Sequence, residues 1–222
     1  MRKIIGAAFI SLDGVIQAPG GPTEDPTGGF KLGGWLASYF DEQVGQFIDR
    51  LFTPPYDLLL GRRTYDIFSA YWPFVEGEAK EMGEAFDRAG KYVFTRGDQP
   101  LTWQNSHRVT STDALADIKR GEGPDLIIQG SSTLYPQLLA AGLIDRLTLM
   151  TFPVILGPGK RLLGEGTTPG SMRMVEHEVT SGGTVIATYE PAGEVKPGSF
   201  DATDAPSPAE VERREKMKAG TW

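Results

Sequence analysis

No cysteine occurs anywhere in the 222 residues. That absence removes disulfide scaffolds, thiolate zinc sites, iron–sulfur clusters and cysteine nucleophiles together. Histidine is nearly absent too: only His107 and His177 are present, neither with a second nitrogen or sulfur ligand nearby in sequence, so no metal site is expected. There is no G-x-S-x-G elbow to carry a Ser-His-Asp hydrolase. Positive charge is not in excess. With 22 Lys and Arg against 29 Asp and Glu, the net charge is −7, which argues against nucleic acid or an anionic membrane as partner. No apolar run approaches the roughly 18 residues of a membrane span. The opening MRKIIGAAFISLDG imitates a signal peptide, but its apolar stretch, residues 4–10, is short and runs into an Asp-Gly turn, so it reads as a first strand of a cytoplasmic protein. No repeat of 20 to 50 residues is found, which excludes solenoids and propellers.

What is present is alternation. Short β-branched or Leu-rich runs at residues 3–10, 57–60, 91–95, 126–129 and 146–152 alternate with amphipathic stretches, the pattern of an α/β fold. Runs at 172–180 and 184–189, separated by Ser181, Gly182 and Gly183, read as a closing antiparallel hairpin. Val44, Phe47, Ile48 and Leu51 form one face of a helix over 41–51. Ser111 or Thr112 can cap a second helix that stops at Gly121, and Ser132 or Thr133 a third that stops at Gly142, with Pro136 tolerated in its first turn. One domain is expected over 1–190. Residues 191–222 form a Pro-, Gly- and acid-rich tail, with a possible short helix at 208–218 after Ser207.

Three segments carry candidate anion chemistry. DLLLGRRTYDIF delivers Gly61, Arg62 and Arg63 from a buried strand to a turn, with Thr64 placed to cap the next helix. LIIQGSSTLYPQLL repeats strand, glycine, hydroxyl cluster and helix start; it is not a G-x-G-x-x-G fingerprint, because Ser132 and Tyr135 hold the second and third glycine places. KYVFTRGDQP ends a third strand on Thr95 and Arg96. Ligands of open α/β sheets gather at the carboxyl ends of strands, and Arg62, Arg63 and Arg96 favour a 2′-phosphorylated dinucleotide over one read by a carboxylate. By contrast, GPGKRLLGEG at 157–166 lacks the spacing of a phosphate loop and reads as a surface turn.

AAFISLDGVIQAPGGPTEDPTGGFKLGGW, DLLLGRRTYDIFSAYWP and IIQGSSTLYPQLLAAGLIDRLTLMTFPVILGPGKRLL together resemble the dihydrofolate reductase-like superfamily. The nearer likeness is to small bacterial reductases related to the reductase domain of the bifunctional riboflavin-biosynthesis enzyme, the RibD C-terminal-like branch. The resemblance spans about residues 1–190. It implies a three-layer dihydrofolate reductase-like α/β fold with a mostly parallel central sheet and an antiparallel C-terminal hairpin. It implies NADPH as cofactor, with Ala7, Gly14, Val15 and Ile16 facing the nicotinamide. Gly61, Arg62, Arg63 and Thr64 would bind phosphates of the adenine half, Thr95 and Arg96 the 2′-phosphate and adenine, and Gly130, Ser131, Ser132, Thr133, Leu134 and Tyr135 the pyrophosphate. The activity implied is hydride transfer to a small heterocyclic acceptor of pterin or pyrimidinone type, by a homodimer. The alternatives are a lone pyrimidinone-phosphate reductase of riboflavin biosynthesis and a noncatalytic NADP(H)-binding protein on the same fold.

Two carboxylates are candidates for a catalytic role. Asp41 stands at the start of the first helix, where such a group also makes an ordinary cap. Asp13 lies in the SLDG turn, which it can equally serve as a turn former. The loop over 17–34, rich in Gly and Pro, is expected to fold over the substrate, with Phe30 and Trp35 as aromatic contacts or as a rim of the core.

Overall fold

The structure is a computed structural model and describes residues 1–53, 55–200 and 205–221. Eight strands form one sheet: β1 (Ile4–Ser11), β2 (Tyr56–Gly61), β3 (Lys91–Phe94), β4 (Ser106–Val109), β5 (Asp125–Gln129), β6 (Arg146–Phe152), β7 (Met172–Val179) and β8 (Val185–Pro191). Their order is β4-β3-β2-β5-β1-β6-β8-β7. The first six run parallel, and β8 pairs antiparallel with both β6 and β7. The mostly parallel sheet and the closing hairpin are thus as the sequence pattern led one to expect. β4 is an addition, since SHRV carries only one buried residue and has no strand-like pattern.

Helices α1 (Glu42–Phe52), α2 (Arg62–Tyr71), α3 (Lys80–Arg88), α4 (Thr112–Arg120) and α5 (Leu134–Ala140) cover the two faces, and α6 (Pro208–Ala219) follows in the tail. Local chemistry sets several ends. Asp41 accepts the Val44 amide to cap α1, and Ser111 and Ser207 cap α4 and α6 in the same way. The α5 cap differs from expectation: Thr133 is its N-cap residue but is itself helical and makes no side-chain capping bond. α6 buries no residue. Among the described residues, no helix is long and apolar enough to cross a membrane.

Strand alternation divides the core. Ile4, Ala8, Leu59, Leu126 and Ile128 pack on one face with Leu115 of α4 and Leu134, Tyr135 and Leu138 of α5. On the other face lie two clusters. One joins Ala7, Met150, Phe152 and Ile186 to Val44 of α1, and the other joins Leu58, Leu60 and Val93 to Tyr65 of α2 and Phe86 of α3. α1 runs obliquely between these clusters. Its start touches the β7–β8 turn, where Gly182 N donates to Asp41. Its last residue, Phe52, packs edge-on against Tyr56 at the amino end of β2. The two ends of α1 thus lie at the carboxyl end of β8's neighbour β6 and at the amino end of β2, so α1 does not reach the carboxyl ends of β5 and β2.

Candidate functional site

The sheet order brings the three anion-type segments side by side. β3, β2, β5 and β1 are consecutive neighbours, so the turns that leave them line one edge. The two central turns are interlocked. Gly130 and Ser131 both take left-handed conformations (φ 65° and 55°), which swings the chain back over β2. There the Gly61 amide donates to Ser131 Oγ (2.9 Å), and the Ser131 amide donates to Thr64 Oγ1 (3.1 Å). Thr64 is therefore not the cap of α2, as the sequence suggested. The N-cap is Gly61, which has no side chain to offer, so the first-turn amides of α2 have no side-chain acceptor.

The arginines diverge. Arg62 reaches toward β3, pairing with Asp66 (2.8 Å) and donating to the Gln99 and Pro100 carbonyls at 3.0 and 3.2 Å. Arg63 points the other way, 3.9 Å from Asp25 in the 17–34 loop. Arg96 is exposed beyond buried Thr95, whose hydroxyl accepts the Gly97 amide (3.1 Å). A further cation went unnoticed in the sequence because its strand did. Arg108 of β4 donates to the Gly97 carbonyl and, at 2.6 Å, to that of Gln99. Arg62 and Arg108 thus share one carbonyl, which holds the two cations within about 6 Å, close enough for mutual repulsion that an anion would relieve.

At the β1 end, Ala7 and Val15 are fully buried, Ile16 is nearly so, and Gly14 makes its turn with φ 80°. Asp13 ties this turn to the segment after β6. It accepts Ser11 Oγ (2.6 Å) and the Leu156 and Gly157 amides (3.1 and 2.9 Å), with Arg161 at 3.6 Å. The Ser11 hydroxyl first, and then the backbone donors, pull its carboxyl down to about 2.

The 17–34 loop is an organised lobe. Buried Gln17 donates to the Asp25 and Thr27 carbonyls and accepts the Lys160 amide, while the Trp35 indole donates to its carbonyl. Asp25 is nearly buried and pairs with Lys160. Burial raises its pKa, but the Lys160 and Thr27 donors outweigh it and hold the carboxyl below the ordinary value. Phe30 and Trp35 belong to the core cluster of Ala7 and Phe152, so they form its rim.

Other candidates lie apart from this edge. Asp41 is occupied in clamping α1 to the β7–β8 turn. The Thr180 hydroxyl, ahead of the Val44 and Gly182 amides, lowers its pKa. Among the cradle residues, Ser131 takes part in the interlock, Ser132 is half-buried and Thr133 exposed. Leu134 and Tyr135 turn into the core of the opposite face instead, so their side chains do not reach the edge. Tyr135 packs beneath Gly6, where a Cβ would stand 2.6 Å from its ring, and its hydroxyl donates to the Ile128 carbonyl (3.4 Å). A cavity of about 650 Å³ lies at the other end of the strands, lined by Lys3, Ile144, Arg146, Leu163 and Met172, and holds none of the candidate site residues. Among the described residues, no group of three or more acidic, His or Cys side chains is placed to hold a metal.

Known proteins resemble this chain in sequence and in fold. The Bacillus subtilis (strain 168) protein YyaP, itself uncharacterized, is 26% identical over 193 residues, 85% of this chain and 94% of its own. A putative riboflavin biosynthesis protein from Shewanella sp. PV-4 superposes with a TM-score of 0.62 at 19% identity, covering 86% of this chain and 99% of that one. Enterococcus faecalis dihydrofolate reductase, complexed with NADP(H), gives 0.52 at 15% identity, covering 85% and 96%, which establishes the likeness of fold. The sequence model of the RibD C-terminal domain matches residues 2–186, nearly the whole of the sheet and its helices, and the chain belongs to that family.

Proposed function

We propose that the strand-end edge binds NADPH and that the protein transfers hydride from it to a small heterocyclic C=N or C=O acceptor of pterin or pyrimidinone type. The observation that carries this reading is the interlock of Gly61, Thr64 and Ser131 beside the arginines of β2–β4. It uses up the Gly61 and Ser131 amides but leaves the first-turn amides of α2 without a side-chain acceptor at the centre of the edge, with cations at one end, the donor set an extended phosphorylated dinucleotide requires. The backbone fits as well. Gly130 has positive φ, so a larger residue would strain the turn, and its Cβ would stand in contact with Thr64 at 3.4 Å.

The residues then divide the work. The first-turn amides of α2 hold the central phosphates, with the Gly130–Ser131 turn fixing their position through Thr64, and Arg62, Arg96 and Arg108 hold the 2′-phosphate. Arg63 stands between the central phosphates and the 17–34 lobe. Ala7, Val15 and Ile16 are buried in the core behind the β1 turn and back the nicotinamide side with apolar packing that keeps water out. The nicotinamide, when bound, supplies the hydride. Asp13 is ionised at neutral pH with its oxygens already accepting, so it positions the β1 turn rather than donating a proton. The proton that accompanies reduction is drawn from solvent.

Calorimetric titration with NADPH and NADH, followed by an acceptor panel read at the nicotinamide absorbance, tests the proposal. Tighter binding of NADPH and its oxidation by at least one pterin or pyrimidinone are expected. Binding without turnover across the panel would make this a nucleotide-binding protein, and no binding would refute the site.

We further propose that a second copy of the chain covers the β7–β8 hairpin. All eight residues of β7 are exposed, and Met172, Met174, Val179 and Val185 stand on one uncovered side of a sheet edge. β7 also carries Arg173 and Glu176, which an antiparallel copy would set opposite each other.

A further inference from the structure

Three buried side-chain polar atoms among the described residues lack a hydrogen-bond partner: Tyr56 Oη, Thr184 Oγ1 and Gln129 Oε1. Tyr56 lies at the amino end of β2 among aromatic rings, and Thr184 lies in the β7–β8 turn. Gln129 alone stands at the candidate site. It is the last residue of β5, immediately before Gly130 and Ser131, and pairs in register with Ala7.

Its direction follows from the strand. Leu126 and Ile128 face α4 and α5, so Ile127 and Gln129 project from the other side. Ile127 is level with Leu58, which places Gln129 level with Leu60, two residues on. Gln129 therefore lies between Ala7 of one core cluster and Leu60 of the other, at the seam beyond the reach of α1. Both neighbours are fully buried and apolar. A leucine would suit these surroundings without leaving an enclosed amide oxygen unpaired, and such an atom calls for a partner that arrives with a ligand. A carboxamide both accepts and donates, so its complement is a neutral –CO–NH– edge.

We infer that Gln129 is a specificity-determining residue that reads the N–H of a cyclic amide in the hydride-accepting heterocycle. This rests on the cofactor reading above and adds to it the hydrogen-bonding face the acceptor must present. It also separates Gln129 from the phosphate-binding groups, so its replacement should leave cofactor binding alone.

The test uses the full chain saturated with NADP⁺, which permits binding without turnover, and a pair of probes that differ only in N-methylation: pteridine-2,4-dione and its 1,3-dimethyl derivative. Calorimetry on the wild type should show the N–H form bound at least about tenfold more tightly, as expected of a site built around a hydrogen bond. Gln129→Leu should abolish that gap while the NADP⁺ affinity stays unchanged. Gln129→Met, close in volume, serves the same purpose should the leucine variant not fold. Equal binding of the two probes by the wild type, binding of neither, or a gap that survives the substitution would each overturn the inference; a water held by Gln129 alone would give equal binding. Failure of NADP⁺ to bind the wild type would instead refute the cofactor site, and the same probe pair on the cofactor-free protein would then decide the role of Gln129.

Discussion

Replacing Arg62 should separate the two nicotinamide cofactors, and replacing Arg63 should not. Arg62 leans toward β3 and β4, sharing the Gln99 carbonyl with Arg108, whereas Arg63 faces the 17–34 lobe through Asp25. A charge-assisted hydrogen bond is worth about 1.5–3 kcal/mol. Arg62 is 28% exposed and already paired with Asp66, so screening puts its contribution at the low end, about 1.5 kcal/mol or roughly tenfold in affinity. Arg62→Ala also leaves the Asp66 carboxylate uncompensated near an incoming phosphate, which acts in the same direction. The expected result is a roughly tenfold loss for NADPH with less than about a threefold loss for NADH. Arg63→Ala should weaken both alike, because the central phosphates are common to them. Calorimetric titrations of each variant with each cofactor, repeated at low and high salt, give the comparison. The NADPH loss should shrink as ionic strength rises. Equal losses of NADPH and NADH in Arg62→Ala would refute the assignment of that side of the edge to the 2′-phosphate.

Asp41→Ala removes the cap of α1 and its tie to the β7–β8 turn. It should cost about 1–2 kcal/mol in urea unfolding, and a collapse of turnover in Asp41→Asn at unchanged stability would restore a catalytic role to the carboxylate. Lys91 is fully buried, its Nζ donating to the Asp87 and Ala89 carbonyls, and burial pushes its pKa down from 10.5 to about 8. Between those values the unfolded chain holds a proton the folded chain has released, so this group makes stability rise with pH across that window. Burial pushes Tyr56 up from 10.0 to about 12, so there the folded chain keeps a proton the unfolded chain loses, and stability falls above pH 10. Denaturation midpoints from pH 7 to 11 should show the rise and then the fall, and Lys91→Met should flatten the rise; an unchanged slope in the variant would count against a buried ammonium. Val179→Glu should convert dimers to monomers in sedimentation equilibrium without altering the circular dichroism, and a wild type already monomeric at micromolar concentration would remove the hairpin interface.

Several elements were legible because their signals are local. Val44, Phe47, Ile48 and Leu51 line one side of α1, Asp41 and Ser111 cap as their side chains suggest, and the glycines after Ser181 close the hairpin. Others were hidden for equally physical reasons. β4 has a solvated SHRV sequence held in place by its pairing with β3. α3 carries a glycine at its centre, a poor helix former, yet Gly83 is required there because a Cβ would stand 2.6 Å from the Trp72 carbonyl oxygen. Missing β4 meant missing Arg108. Thr64 looked like a cap because helix starts favour hydroxyls, and only the neighbouring turn reveals that its oxygen serves the Ser131 amide.

The amino-acid order by itself determined the α/β alternation, the glycine and hydroxyl chemistry of the turns, and the presence of guanidinium groups beside them. Those properties depend on residues a few positions apart, which interact whatever the rest of the chain does. Tertiary structure alone decided that the turn at Gly61 meets the turn at Ser131, that Arg62 and Arg63 part company, and that Gln129 faces the gap between two apolar clusters. Strand order and register join segments some 70 residues apart, as in the pairing of β2 with β5, through backbone hydrogen bonds that any side chain permits, so no local pattern records them.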